Sequence, residues 1–290
     1  MSTEQFFNLT SHLLDDTQSN EIMDLFNNLQ TFNYNDIFGN NDFSLTRPRI
    51  ISAMPKMSLR KPKIINITKA VINSDKLENF YKVWCFHDDK YKDWWILLAL
   101  KEVYFHNLYY NYLINNNIKD FTIPILYRHG LINNSTEYST EYIFFIEMKK
   151  YDIKPLPNFI VDENTNQLQE LIDYYTEFRD MIVTISNLNT GIHHNDHISP
   201  TRMNKSLAWL EKTKARIEHF GIKNFNNPHG SFFWFLRREV GENIVKLMDG
   251  TFMLLDFEHS STIFGLHSYT GPTEDRPTHK VIHIVNDNIE

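Results

Sequence analysis

The C-terminal part of the chain is a succession of short apolar segments separated by turn residues, and this pattern limits the folds available to it. The segments SFFWFLRR, ENIVKL, TFMLLDF and KVIHIV lie between residues 231 and 285. Asp249 and Gly250 separate two of them, and an Asp-Gly pair between apolar runs is typical of a tight hairpin turn. Successive short antiparallel strands predict a jelly-roll or cupin-type barrel, which can hold a small ligand at its mouth.

Helical patterns dominate the chain before this region. Apolar residues recur at helical spacing near residues 22–29 and 101–115, and again over 165–178 and 204–219. Other segments favour strands, because they are short apolar runs rich in β-branched and aromatic residues. These predicted strands are Phe121–Tyr127, Glu141–Met148 and Met181–Ser186.

Together these patterns predict an α+β fold. Its centre is a double-stranded β-helix (a jelly-roll or cupin-type barrel) with N-terminal helices and a helical insertion. We expect residues 1–120 to form a mainly helical region that packs on the barrel, and residues 121–290 to form the barrel with its insertion at 201–226.

Charge and composition exclude several classes of partner. The net charge of −7 gives the chain no general attraction for nucleic-acid phosphates. The longest apolar run, Trp94–Leu100, is too short to span a membrane. Cys85 is the single cysteine, so an internal disulfide is excluded. We predict that Cys85 is a small buried apolar side chain. A single cysteine also fits a reducing compartment. We therefore expect a cytoplasmic protein with a small-molecule substrate; the oligomeric state stays open.

A dense histidine cluster follows the predicted strand Met181–Ser186. Its sequence is GIHHNDH, residues 191–197. In an extended chain residues i and i+2 point to the same face, so His194 and Asp196 would project together. A His-x-Asp pair and one distant histidine form the facial triad of non-haem iron(II) oxygenases, which leaves positions open for a keto acid and O2.

The order of these segments resembles the aspartyl/asparaginyl hydroxylase superfamily, which includes small bacterial proline hydroxylases. The resemblance covers residues 181–288. It comprises the strand that leads into His-x-Asp (IVTISNLNTGIHHND), the strand–Gly–strand unit IVKLMDGTFMLLDFEHS, and the terminal segment EDRPTHKVIHIVND. The chain departs from the family by its helix-like insertion over residues 201–226.

The resemblance implies a set of site residues. His194 and Asp196 match the first two iron ligands, and His259 matches the distal one, with His267 as the alternative. The arginine that holds the distal carboxylate of 2-oxoglutarate matches Arg276, and Lys280 is the alternative.

The implied cofactors are Fe(II) and 2-oxoglutarate, with O2 as co-substrate. By this resemblance the chain would decarboxylate 2-oxoglutarate to succinate and hydroxylate an amino acid or an amino-acid derivative. The protein would supply position and a dry pocket for chemistry that belongs to the cofactors.

Two other hypotheses stay open. Asn243 and Asp256 have the separation of the two magnesium-binding residues of aminoglycoside- or choline-kinase-like phosphotransferases, and YIFFIEMKK resembles their hinge strand. Against a kinase, no Gly-rich phosphate loop precedes residue 100, and Arg238 occupies the position of the catalytic Asp, as in a pseudokinase. The third hypothesis is a non-catalytic cupin-like binding protein without iron.

Overall fold

The structure is a computed structural model that describes part of the chain. The described residues are 14–41, 50–51, 63–64, 67–86, 92–135, 140–154, 165–188, 200–220, 244–255, 257 and 279–285.

These residues form an α+β structure, as the sequence predicts. The helices are α1 (Asp16–Asn27), α2 (Tyr34–Phe38), α3 (Lys92–Asn115), α4 (Thr165–Ser186) and α5 (Pro200–Phe220). The strands are β1 (Thr31–Phe32), β2 (Ile50–Ile51), β3 (Lys63–Ile64), β4 (Ile67–Asn73), β5 (Asn79–Phe86), β6 (Phe121–Thr122), β7 (Leu126–Ser135), β8 (Thr140–Lys149), β9 (Ile244–Lys246), β10 (Phe252–Leu254) and β11 (His279–Val285). None of the described helices is both long and apolar enough to cross a lipid bilayer.

The main sheet has six strands in the order β1-β7-β8-β5-β4-β11. Its central pairs are antiparallel, while β1 and β11 add at the edges parallel to their neighbours. A second sheet has the order β6-β10-β9, and β2 pairs with β3. Among the described strands no sheet closes into a barrel. β11 pairs with β4 of the main sheet, so the expected run of antiparallel C-terminal strands is wrong at this strand.

Two compact units account for the described residues. The first comprises the described parts of residues 1–107, 124–150 and 266–290; the second comprises those of 108–123 and 151–265. Both units draw on chain from either side of residue 120. The reason is long-range pairing, since β5 lies beside β8 in the main sheet.

The strand predicted at Met181–Ser186 is wrong, because these residues are the last turns of α4. Phe178, Ile182 and Ile185 are buried while Val183 is exposed, so the apolar spacing of the helix continues through the segment. The β-branched residues suggested a strand, but the 3.6-residue period prevailed. The helices predicted over 165–178 and 204–219 are confirmed as parts of α4 and α5.

In the main sheet, alternate residues of β5 serve two different faces. Tyr81, Val83 and Cys85 are buried in a cluster with α2, which includes Ile37 and Phe38. Lys82 alternates with these residues and therefore points to the opposite face. The prediction that Cys85 is a buried apolar side chain is confirmed.

The close approach of β1 to β7 depends on Gly130. A Cβ at this position would lie 2.5 Å from the Cε2 atom of Phe32 and 2.8 Å from the carbonyl oxygen of Gln30. We predict that Gly130→Ala lowers the free energy of unfolding by about 2 kcal/mol, because the backbone oxygen cannot move without loss of strand pairing. Urea denaturation measures this, with Gly250→Ala as a comparison for strain at a positive φ of 91° and no steric contact. An unchanged midpoint for Gly130→Ala would contradict the prediction.

Candidate functional site

The residues predicted to bind iron and 2-oxoglutarate fall largely outside the described part of the chain. His194, Asp196, His259, His267 and Arg276 all lie outside it, and Lys280 lies in β11, where the backbone alone is described. The described residues contain no group of three or more His, Cys, Asp or Glu side chains able to hold a metal ion. The iron site therefore stays a prediction.

One premise of that prediction changes with the structure. The predicted iron site depends on a strand over Met181–Ser186 that leads into the His-x-Asp pair, whereas these residues are the last turns of helix α4. The described residues 187–188 form the turn that ends the helix, with Asn187 N–H donating to the carbonyl of Val183 at 3.0 Å. Residues Met181–Ser186 therefore give no support to a common orientation of the His194 and Asp196 side chains.

A buried ion pair instead joins β5 to the long helix α3. The Nζ atom of Lys82 lies 2.7 Å from Oε1 and 2.8 Å from Oε2 of Glu102. The Lys82 and Glu102 side chains are 15% and 6% exposed. Both carboxylate oxygens thus accept hydrogen bonds from one ammonium group in a site largely removed from water, where charge-assisted bonds are strong.

Apolar packing fixes the position of this pair. The Nζ atom of Lys82 also lies 5.4 Å from the centre of the Trp84 ring, and Trp84 is buried against Phe144 of β8. On α3, Leu98 and Phe105 are buried on either side of Glu102 in sequence. A helix that is apolar on most of its surface packs inside the protein, and it carries Glu102 with it.

A buried histidine stands one helical turn after Glu102. The Nε2 atom of His106 lies 2.7 Å from the carbonyl oxygen of Pro124, in the connection between β6 and β7. Burial and, to a smaller extent, the nearby positive charge of Lys82 lower the pKa of His106 to about 4, although the hydrogen bond to Pro124 acts in the opposite direction. At neutral pH the ring is therefore neutral and donates its Nε2 proton to Pro124, which ties α3 to the sheet.

In the second unit, β9 and β10 form the hairpin that Asp249 and Gly250 predict. The strands are antiparallel with Ile244 opposite Leu254, and Gly250 adopts a positive φ of 91°. The N–H of Thr251 donates to Oδ1 of Asp249 at 2.8 Å, which stabilises the turn. The hairpin prediction is confirmed.

The hairpin also gains a short third partner from the chain that follows β8. Ile153 bridges Leu247, the Lys154 N–H donates to the Lys246 carbonyl at 2.7 Å, and the Met248 N–H donates to Asp152 at 3.0 Å. The strand predicted at Glu141–Met148 is confirmed, since it lies within β8.

One end of the hairpin lies next in sequence to Asn243 and Asp256, the two residues of the kinase hypothesis. Asn243 and Asp256 lie outside the described residues, but each adjoins or nearly adjoins the paired residues Ile244 and Leu254. The two chain segments that lead to Asn243 and Asp256 therefore start from the same end of the hairpin.

The sequence analysis missed Lys82, Glu102 and His106. Lys82 interrupts an apolar strand, NFYKVWCF, and Glu102 and His106 lie one turn apart on a mainly apolar helix. A charged residue at an apolar position of each of two neighbouring elements is the signal that could have found the pair, because buried charges require partners.

No protein-family model matched the chain, and neither a curated protein nor a solved structure matched it. The chemistry of the site is therefore inferred from its geometry.

Proposed function

We propose that this chain binds a magnesium–nucleoside triphosphate in the manner of kinase-like phosphotransferases. The observation that carries the proposal is the bidentate contact of Lys82 with Glu102, between a central strand of the main sheet that pairs antiparallel on both sides and a long helix. In protein kinases a strand lysine held by a helix glutamate contacts the α- and β-phosphates of ATP.

The order of elements along the chain supports the same proposal. The strand with Lys82 is followed by the helix with Glu102 and then by the antiparallel strands β7 and β8. In the described residues that follow, α4 and α5 come next and the hairpin β9–β10 comes after them. Kinases carry their phosphate lysine, helix glutamate and two metal-binding residues in this sequence order.

The residues beside the hairpin have the donor chemistry that magnesium requires. Mg²⁺ prefers oxygen ligands, and Asn243 and Asp256 supply an amide and a carboxylate oxygen. The paired residues Ile244 and Leu254 start both segments from one end of the hairpin. We propose that Asn243 and Asp256 hold the ion, which when bound would neutralise charge on the nucleotide phosphates.

Lys82 and Glu102, both in the first unit, have separate roles in this proposal. Lys82 supplies the positive charge and the N–H donors that phosphate oxygens accept. Glu102 holds the ammonium group in one place, so that the cost of ordering a long side chain is met before the nucleotide binds. Arg238 stands where kinases have their catalytic Asp, so the proposal concerns nucleotide binding and includes no transfer step.

The iron(II)- and 2-oxoglutarate-dependent oxygenase with its double-stranded β-helix stays a prediction, as does the non-catalytic cupin. His194, Asp196 and His259 lie outside the described residues, so their distances from one another are not tested. Both hypotheses make distinct predictions in the experiment that tests nucleotide binding.

The test compares the wild-type chain with charge-removing variants at the ion pair. Lys82→Met alone removes the ammonium group from beside the buried Glu102 carboxylate, a change that destabilises a fold. Lys82→Met with Glu102→Met replaces the pair by apolar groups of similar size, which is often neutral. We expect Mg·ATP to raise the melting temperature of the wild type. The double variant should keep the wild-type circular dichroism spectrum and show no such rise. Titration calorimetry should give a Kd at least about tenfold higher for Lys82→Met.

The exposed Lys149, at the end of β8, provides the matched control: Lys149→Met should bind Mg·ATP like the wild type. Wild-type affinity in the double variant would overturn the role of the ion pair. A wild type that ignores Mg·ATP but develops a visible absorption band with iron(II) and 2-oxoglutarate under anaerobic conditions would favour the oxygenase. Response to neither ligand would favour the non-catalytic cupin.

A further inference from the structure

The guanidinium group of Arg128, in strand β7, is held by a buried carboxylate on the neighbouring strand. Its Nε atom donates to Oε2 of Glu147, which is 4% exposed, whereas the Arg128 side chain is 40% exposed. Among the described residues, the hydrogen bonds of this guanidinium all end at Glu147. The remaining N–H groups, on its two Nη atoms, are therefore the donors that solvent or a ligand can use.

A β-bulge in β7 places Arg128 beside this carboxylate. Leu126 pairs with Met148 of β8. Arg128 pairs with Glu147, the residue before Met148, so β7 contains one extra residue between these pairs. The extra residue, Tyr127, is 52% exposed. In a regular strand Leu126 and Arg128 would share a face. The bulge therefore redirects the arginine, and bulges with this effect are frequent beside functional sites.

The aromatic ring of Phe32, in β1, also contacts the guanidinium. The Cζ atom of Arg128 lies 5.6 Å from the centre of this ring, within the range of a cation–π contact. Phe32 in turn packs edge to face on Phe145, with ring centres 5.4 Å apart. Gly130 makes room for the ring, since a Cβ there would lie 2.5 Å from Cε2 of Phe32. A carboxylate and an aromatic ring thus fix the guanidinium together.

The Glu147 carboxylate is itself held by other donors. Its Oε1 atom accepts hydrogen bonds from Nδ2 of Asn79 at 2.6 Å and from the Tyr81 hydroxyl at 2.9 Å. These bonds fix the carboxylate, and the carboxylate fixes the plane of the Arg128 guanidinium. A planar fork that is already oriented loses little conformational entropy when it binds a ligand.

We propose that Arg128 binds a small oxyanion, a carboxylate or a phosphate group, through the N–H groups of its two Nη atoms. The fork of a guanidinium matches two oxygens of either group. The net charge of −7 disfavours a polyanionic partner, so the ligand is a small molecule. Glu147 offsets part of the positive charge of Arg128, and the binding is therefore weak, with a Kd of about 1 mM for two charge-assisted hydrogen bonds.

This oxyanion site is separate from the proposed nucleotide site. Arg128, Glu147 and Tyr81 form one row across β7, β8 and β5. Tyr81 alternates with Lys82 along β5, so Lys82 points to the other face of the sheet. Either site can therefore exist without the other.

The test is a titration of the full chain with sodium phosphate and, separately, with sodium succinate, in buffer without Mg²⁺. Nuclear magnetic resonance of the arginine Nε–H groups provides the readout. We expect the Arg128 signal to shift until it saturates. Arg179 is the internal control, because it is 33% exposed and already donates to Asp180 through both Nε and Nη2. Its signal should show no saturation.

Three variants locate the binding. Arg128→Lys keeps the charge but loses the fork, and calorimetry should give it a Kd at least about tenfold higher than that of the wild type. Arg179→Lys is the matched control and should bind like the wild type. Lys82→Met with Glu102→Met should also bind the oxyanion normally; loss of binding in this variant would place the oxyanion at the nucleotide face and overturn the site.

The two titrations distinguish the sources of the oxyanion. Saturation by phosphate alone supports a phosphorylated ligand, saturation by succinate alone supports a carboxylate ligand, and saturation by both supports a site for either group. An Arg128 signal that shifts without saturation in both titrations, or wild-type affinity in Arg128→Lys, would overturn the proposal. Through-bond assignment identifies the Arg128 signal in the wild type, so the titration gives a decision even if Arg128→Lys does not fold.

Discussion

Replacing Glu147 by alanine should lower the free energy of unfolding by about 3 kcal/mol, because its carboxylate is the shared acceptor of a buried network. Oε1 accepts hydrogen bonds from Nδ2 of Asn79 at 2.6 Å and from the Tyr81 hydroxyl at 2.9 Å, and Oε2 accepts one from Nε of Arg128. Glu147 is 4% exposed, so these donors would lose their partner in a site that water scarcely reaches.

The contacts of Tyr81 show how closely the network is built into the fold. Burial raises the pKa of the Tyr81 hydroxyl above its usual range, and the hydrogen bond to Glu147 raises it further. The same contact with Glu147 raises the pKa of Arg128. Tyr81 also lies 3.4 Å from the carbonyl of Ile37, so α2 rests directly on the network. Loss of the carboxylate should therefore loosen α2 as well as the centre of the sheet.

Urea denaturation checks this, with two comparison variants. Glu147→Gln keeps the shape and one acceptor, so its loss should fall between those of the alanine variant and the wild type. Lys149→Ala changes an exposed residue two positions along the same strand and should stay within about 0.5 kcal/mol of the wild type. A loss below about 1 kcal/mol for Glu147→Ala would contradict the account, since that is the size of a single neutral hydrogen bond.

Sequence periodicity anticipated the elements whose signal is local. The Asp249–Gly250 hairpin, strand β8 and the helices α4 and α5 follow from turn chemistry and apolar spacing within about twenty residues. The error at Met181–Ser186 has the same origin, because β-branched composition competed there with a helical spacing that begins earlier in the chain.

The candidate site escaped prediction because its geometry is long-range. Lys82 and Glu102 are 20 residues apart in sequence, and neither belongs to a local motif. Their contact exists because β5 lies at the centre of the sheet, paired with β4 and with β8, which follows more than fifty residues later in sequence. Periodicity indicates which face of an element is buried, but it does not specify which element covers that face.

The stability of the chain should also fall as the pH is lowered from about 6.5 towards 4, and His106 should be a main cause. Burial holds the pKa of His106 at about 4 in the folded chain, whereas an exposed histidine has a pKa of about 6.5. Between about pH 6.5 and pH 4, His106 is mainly protonated in the unfolded chain and mainly neutral in the folded chain. This difference in bound protons favours unfolding as the pH falls. The stabilisation is therefore complete above pH 6.5 and is lost as the pH falls through this window.

For these two pKa values, linkage predicts a loss of about 2 kcal/mol between pH 7 and pH 5 from this residue alone. His106→Gln isolates it, since glutamine retains a donor for the Pro124 carbonyl and has no charge to gain. Denaturation of both proteins at pH 7 and pH 5 should show the wild type losing more stability than the variant by that amount. The half-buried His129, whose pKa is also lowered by burial, contributes equally to both proteins and cancels. Equal losses of stability in the two proteins would show that protonation of His106 does not lower the free energy of unfolding. That result would contradict a His106 ring that is neutral, donates to Pro124 and lies near the positive charge of Lys82.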